Sequence, residues 1–131
     1  MAETYINVGL LPGDGGAYLL PRLIGRARAL ELLWTGEFLD APRALELGIV
    51  SHVWPDEEFA SRVHELAARI AASAPLATRM IKRAVVHGES MTFAASLDLI
   101  SSHQAIIQAT ADSREAMAAF RERRPPVFRS R

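Results

Sequence analysis

A glycine-rich turn at residues 9–16 carries the groups best suited to chemistry. It reads Gly-Leu-Leu-Pro-Gly-Asp-Gly-Gly and runs into a helical pattern from Ala17. Glycine lets the backbone approach a ligand closely, and the start of the following helix offers N–H groups to an anion or a polarised carbonyl. The run is neither a Walker loop nor a Gly-x-Gly-x-x-Gly motif. A plain strand-to-helix turn remains the alternative interpretation.

Asp14 is the carboxylate within this turn. It could act on a proton of a bound carbonyl compound, or it could hydrogen bond to its own backbone as Asp does in turns. The histidines lack the i, i+4 spacing of helical metal ligands, so we expect structural or surface roles for them and no metal site. They are His52, His64, His87 and His103.

The composition indicates an ordinary globular chain. The 131 residues carry 15 basic and 15 acidic side chains, a balance unlike the basic excess of nucleic-acid-binding proteins. No cysteine is present, which excludes disulfides and allows a reducing compartment. The apolar runs are too short to span a bilayer, and residues 1–5 do not resemble a signal peptide. We expect a cytoplasmic protein with no nucleic-acid and no membrane partner.

The elements that position the turn are predicted to be mostly helices, with one or two short strands. The β-branched and aromatic content of residues 5–11 favours a short strand or an extended entry segment, and residues 49–54 favour a short strand. Pro21 is expected to end or kink the helix that starts at Ala17. Other helices are predicted from periodicity and capping signals at Arg26, Asp40, Asp56, Pro75, Ser90 and Asp112. Along the helix after Ser90, we expect four apolar side chains to face inward: Phe93, Leu97, Ile100 and Ile107.

Several segments, in order along the chain, share a pattern with one enzyme family. They are the glycine-rich turn with the preceding Val8, Leu-Trp-Thr-Gly at 33–36 with the Ala- and Leu-rich run at 40–50, Val-Trp-Pro at 53–55, the helix from Pro75 to Lys82, and the Met- and Phe-containing close at 112–128. Together they resemble the enoyl-CoA hydratase/isomerase, or crotonase, family. The resemblance covers essentially the whole chain.

The resemblance implies the C-terminal portion of the α/β crotonase fold. Residues 1–16 would be the end of its ββα core with the glycine-rich turn, residues 17–54 helices and a short strand, and residues 55–131 a helical oligomerisation region. In the family, the oxyanion hole and the first catalytic carboxylate precede the segment that Tyr5 matches. We therefore expect a truncated or shortened form of the enzyme that is inactive alone.

The family's second catalytic carboxylate falls at Tyr5, where a phenol can donate a hydrogen bond but cannot serve as a carboxylate base. This departure argues against simple hydration, and some family members with one carboxylate catalyse isomerisation or other reactions. Glu3 would share a strand face with Tyr5 and is a substitute candidate, with a frayed terminal residue as the alternative. Asp14 is the other catalytic candidate. The resemblance also implies that Leu11, Pro12 and Gly13 line the acyl pocket.

Phe120 and Arg123 match positions where family members present an aromatic and a basic side chain to the nucleotide of coenzyme A. A ring can stack on adenine and a guanidinium can hold phosphate. The alternative is that Phe120 lies in the helix core and Arg123 in a solvated tail. Lys82 is expected to be an exposed helix residue. Coenzyme A enters as part of the substrate, and no separate cofactor is expected.

Two functions follow from the sequence. The first is a fragment of an enzyme that hydrates or isomerises enoyl-CoA thioesters through a stabilised enolate, with a trimeric or hexameric full-length parent. The second is a non-catalytic helical module that binds acyl-CoA or self-associates, because amphipathic helices without the core they cover need partners.

Overall fold

In the computed structural model, which describes residues 1–129, every regular element is helical. The mostly helical fold is therefore confirmed, and the described residues contain no strand. The chain forms two compact units, Met1–Glu58 and a second that begins at Phe59. The elements are a 3-10 helix at Thr4–Val8, α1 at Gly16–Ile24, α2 at Arg26–Thr35, α3 at Ala41–Glu46, α4 at Asp56–Ala71, α5 at Pro75–Gly88, α6 at Phe93–Gln108 and α7 at Ala111–Glu122.

The strand predicted at residues 5–11 is wrong. The segment closes on itself instead, because the Gly9 N–H donates to the Ile6 carbonyl and the Leu10 N–H to the Tyr5 carbonyl, each at 3.0 Å. Gly9 then ends the 3-10 helix in the left-handed region, with φ of 72°. A strand needs a neighbouring strand for its backbone groups, and none lies among residues 1–129.

The strand predicted at residues 49–54 is also wrong. The Ile49 N–H reaches back to the Ala44 carbonyl at 2.9 Å, so this segment closes α3 rather than extending away. Farther along, the rings of His52 and Trp54 stack with centroids 4.8 Å apart. Local hydrogen bonds and ring contacts therefore stabilise a segment whose composition favours a strand.

Pro21 does not end α1, which continues to Ile24. The proline removes only the N–H that would have bonded to Ala17, while Leu20 and Ile24 on either side of it are buried. Burial of these neighbours offsets the lost hydrogen bond. The helix stops at Gly25, whose φ is 82°.

Helices α3, α6 and α7 each begin at a side-chain cap. Asp40 caps α3 as predicted, with its Oδ1 accepting from the Arg43 N–H at 2.8 Å. The prediction that Ser90 caps α6 is wrong, because Thr92 takes that role and accepts from Ala95 at 3.3 Å. Thr110 caps α7, which begins at Ala111, one residue before the start predicted at Asp112. A hydroxyl cap can shift by two residues without changing the pattern that predicts it.

The buried apolar residues of the first unit form one cluster where α1 packs on α2. Ala29 has no exposed surface, and partly buried Leu33 and Ile49 pack against the cluster. Its members are Leu20, Ile24, Ala29, Leu32, Leu39 and Leu47. This small core fixes the glycine-rich turn, because α1 begins directly after it.

The second unit buries far fewer apolar side chains. Phe93, Leu97 and Ile100 are exposed, so their predicted inward placement is wrong, whereas Ile107 is half-buried. The chain exposes 9975 Å², although two independently folded domains of half its mass would together expose only about 8,200 Å². Many of the exposed side chains are large and apolar.

Within residues 1–129, no helix has the length and apolar character needed to cross a membrane.

Candidate functional site

The glycine-rich turn leads into α1 through Gly15, which has φ of 100° and sits just before the first helical residue. The Gly15 carbonyl accepts from the N–H of Leu19 at 2.9 Å, the first hydrogen bond of the helix. Only glycine adopts this backbone angle without strain. The turn therefore delivers Asp14 to the N-terminal end of α1.

Asp14 and Tyr5, the two residues predicted as catalytic, lie together. The Tyr5 phenol lies close enough to the Asp14 side chain for the carboxylate charge to act on it. Asp14 also accepts from the Gly16 N–H at 3.1 Å, which is the local backbone bond expected of a turn Asp. The negative charge of Asp14, followed by partial burial, raises the pKa of Tyr5 above its ordinary value of 10.0. The phenol is therefore protonated at neutral pH and acts as a donor.

Glu3 completes the cluster. Its Cδ lies 2.7 Å from the point where a Cβ on Gly16 would stand, so the carboxyl occupies the space that a side chain would fill. Its Oε2 is buried and accepts no hydrogen bond from the described residues. Burial, and secondly the charge of Asp14, raise the pKa of Glu3. Two carboxyl groups and a phenol thus meet at the start of α1.

The residues predicted to line an acyl pocket lie at the outer edge of the turn. Leu11 and Gly13 are exposed and Pro12 is half-buried. A Cβ placed on Gly13 would meet no atom within 4 Å, so the backbone there faces open space. This surface is accessible to a ligand.

A cavity of about 490 Å³ opens on the side of the cluster that carries Tyr5. Phe38, which no sequence pattern indicated as a site residue, forms part of the cavity lining. The lining residues are Thr4, Tyr5, Asn7, Val8, Leu10 and Phe38.

In the second unit, Phe120 and Arg123 lie three residues apart at the end of α7. The Phe120 side chain is 81% exposed, so it is not a helix-core residue within this chain. Arg123 ends the helix in the left-handed region with φ of 55°, the one described non-glycine residue with positive φ. An exposed ring and a guanidinium at one helix end suit a nucleotide with phosphates.

The segment after α7 folds back along that helix. Arg124 forms a two-pronged ion pair with Glu115, at 2.5 and 3.0 Å, and the Val127 N–H donates to the same carboxyl at 3.0 Å. The Arg129 N–H donates to Asp112 at 2.8 Å. These contacts lower the pKa of Glu115 to about 2, with the Arg124 hydrogen bond as the largest cause.

The cluster around Tyr5 can move a proton. In the part of the chain that the structure describes, no three His, Asp or Glu side chains come together as metal ligands would. A protonated phenol can donate to a developing oxyanion, and a carboxylate beside it can carry a proton from a substrate carbon.

Comparison with known proteins defines the class. The fold superposes on an enoyl-CoA hydratase from Bacillus anthracis with a TM-score of 0.94 and 33% identity, covering 99% of this chain and 50% of that one. The sequence is 39% identical over 123 residues to the enoyl-CoA isomerase/hydratase fer4 of Mycosarcoma maydis, covering 94% of this chain and 45% of the relative. It is 37% identical to 1,2-epoxyphenylacetyl-CoA isomerase of Escherichia coli, covering 95% and 48%.

The family model described as enoyl-CoA hydratase/isomerase matches residues 1–131. The chain therefore belongs to the enoyl-CoA hydratase/isomerase family. It spans about half the length of the curated relatives it matches and corresponds to their C-terminal half.

The contact between Glu3 and Gly16 predicts energetic coupling between these positions. Gly16→Ala should raise the free energy of unfolding by up to about 1 kcal/mol when Glu3 is first changed to Ala, because alanine favours the helix. With Glu3 present, the added methyl displaces the carboxyl and the gain is lost. A double-mutant cycle by urea unfolding should give a coupling of roughly 0.5–2 kcal/mol.

Gly13→Ala is the matched control for this cycle, because a Cβ there meets nothing. Its effect should add to that of Glu3→Ala within about 0.5 kcal/mol. Additive effects of Gly16→Ala and Glu3→Ala would show that the carboxyl does not occupy this position.

The Glu115 contacts predict an acid-dependent release of the C-terminal segment. Since the folded pKa of about 2 lies below the ordinary 4.5, the contact contributes fully above 4.5 and is lost as pH falls from there towards 2. The amide proton shift of Val127, followed by NMR, should report this transition. Glu115→Ala should abolish it, whereas Glu122→Ala removes another Arg124 partner and should leave it in place. An identical titration in Glu115→Ala would contradict the contact.

Proposed function

We propose that this protein processes acyl-CoA thioesters as the C-terminal half of an enoyl-CoA hydratase or isomerase. The observation that carries the proposal is the cluster of Tyr5, Asp14 and Glu3 beside an open cavity, in a chain of this family. Relatives named for a CoA isomerase in Escherichia coli and a crotonyl-CoA hydratase in Syntrophomonas wolfei support a CoA thioester as the substrate.

Tyr5 supports isomerisation over hydration. Isomerisation needs a group that removes a proton from a carbon beside the double bond and returns it to another carbon of the enolate. Hydration instead needs one group that activates water and another that protonates the α-carbon, and the Tyr5 phenol, whose pKa Asp14 raises, cannot be the base for water. We assign the proton-carrying role to Asp14 and the donor role to Tyr5. The proposal also places the oxyanion hole in the half of the relatives that this chain does not match, so turnover requires that half.

Coenzyme A recognition is assigned to Phe120 and Arg123. The exposed ring supplies a stacking face, and the guanidinium supplies up to five donors in a geometry suited to phosphate. Coenzyme A belongs to the substrate, and the cytoplasm, which the cysteine-free composition allows, is the proposed location.

A substitution at Arg123 tests this assignment. Arg123→Gly should weaken CoA binding by about tenfold, because it removes a charged phosphate contact. It should also raise the free energy of unfolding by about 1 kcal/mol, since glycine adopts positive φ without strain. Isothermal titration with CoA and urea unfolding measure the two effects separately.

Lys82→Ala is the control, because it removes a cation from α5 and should leave CoA affinity unchanged. If CoA affinity in Arg123→Gly equals that of the wild type over a range of salt, Arg123 lies outside the site. No measurable binding of CoA to the wild type would argue against the proposed function of this half.

Self-association is the second candidate function. On α5, Ile81 and Val85 are 63% and 62% exposed and stand one turn apart on the same face. The surface in excess of that expected for folded domains supports burial against further copies.

We expect the purified chain to be oligomeric. Light scattering should give a mass several times 14.4 kDa, and changing Ile81 and Val85 to Glu should lower it, because charges on a buried apolar face are costly. Leu23→Glu on α1 provides an exposed-leucine control that should leave the mass unchanged. A stable monomer in the wild type would exclude this function.

A further inference from the structure

The cavity beside Tyr5 has two aromatic walls. Tyr5 and Phe38 face the same open space of about 490 Å³, together with the aliphatic side chains of Val8 and Leu10. We call this site the aromatic groove, lined by Thr4, Tyr5, Asn7, Val8, Leu10 and Phe38. Its volume lies within the range of small-molecule sites in proteins, roughly 300–1,000 Å³.

The position of Phe38 is set by its neighbours. Gly36 ends α2 with φ of 61°, and its N–H donates to the Leu32 carbonyl at 2.9 Å. On the other side, Leu39 is buried and exchanges two hydrogen bonds with Met1, both at 2.8 Å. Phe38 lies between these anchored residues with 77% of its surface exposed.

The opposite wall is fixed to the same turn. The 3-10 helix packs against α2, and atoms of Asn7 and Ile6 lie 3.2 Å from the point where a Cβ on Gly36 would stand. The absence of a side chain at Gly36 therefore allows the helix that carries Tyr5 to lie beside Phe38. Packing of the 3-10 helix against α2 forms the groove, so its shape does not depend on a ligand.

The lining is uncharged. No Lys, Arg, Asp, Glu or His is among the six residues, so the groove suits an apolar group and not the phosphates of a nucleotide. Aromatic walls favour a planar ring, because ring pairs gain from edge-to-face or offset contacts beyond the area they bury. The Tyr5 phenol, which lies near Asp14, stands at the proton-carrying cluster.

We infer that the aromatic groove binds the acyl group of the substrate and selects acyl groups that carry an aryl ring, with Phe38 as a specificity-determining residue. The inference rests on the proposed function, since it names the acyl class for the same site. Within that function, aryl-bearing thioesters would be bound in preference to straight-chain ones.

Nucleotide-free thioesters test the groove separately from CoA recognition. The probes are S-(3-phenylpropanoyl)-N-acetylcysteamine and S-hexanoyl-N-acetylcysteamine, titrated into the whole chain while NMR follows the ring resonances of Tyr5 and Phe38. We expect the aryl thioester to bind about five- to tenfold more tightly than the hexanoyl one. Because neither probe carries a nucleotide, a failure of CoA to bind leaves this result interpretable.

Phe38→Ser should reduce the preference to about twofold or less, since it removes one aromatic wall. The substitution is at an exposed position, so the fold should remain, which circular dichroism checks. Phe93→Ser is the matched control, because Phe93 is 80% exposed and lies outside the groove. It should leave the preference unchanged.

Three results would overturn the inference. The first is equal affinity for the two thioesters, or a preference that Phe38→Ser leaves intact. The second is a loss of aryl preference in Phe93→Ser as large as the loss in Phe38→Ser, which would mean that the thioester adsorbs to apolar surface in general. The third is a loss of oligomer mass in Phe38→Ser without any change in thioester binding, which would make the groove an interface with a second copy.

Discussion

The close approach of the Glu3 carboxyl to the first turn of α1 organises the first unit. It is possible because Gly16 has no side chain. Once Glu3 lies there, the 3-10 helix that follows brings Tyr5 to Asp14, which is itself bonded to the Gly16 N–H. The positive end of α1 favours negative charge at this point and offsets part of the repulsion between the two carboxylates.

The two units differ in the source of their stability. The first has a small apolar core between α1 and α2, which fixes the cluster and the groove. In the second, Thr92 and Thr110 cap α6 and α7, but the helices leave large side chains exposed. Caps stabilise a helix locally, whereas burial supplies most of the free energy of a fold. The second unit therefore gains most from a covering surface.

Local signals predicted the helices well, because periodicity and caps lie within a few residues of the element they define. α2 and the Asp40 cap are examples. The strands failed because a strand depends on a partner elsewhere. Tyr5 was singled out only through resemblance to a family, and its approach to Asp14 was not predicted. The exposure of Phe38 and the pairing of Arg124 with Glu115 had no sequence signal, since both depend on chain reversals that set distant residues side by side.

The contacts at Glu115 restrict how this region can vary. One carboxyl serves both a guanidinium and a backbone N–H. Exchanging the charges of positions 115 and 124 would keep an ion pair but leave the Val127 N–H without an acceptor, since a basic side chain has only donors. Lysine at 124 would keep a single-point contact. Position 124 can therefore exchange one basic residue for another, whereas position 115 must stay acidic.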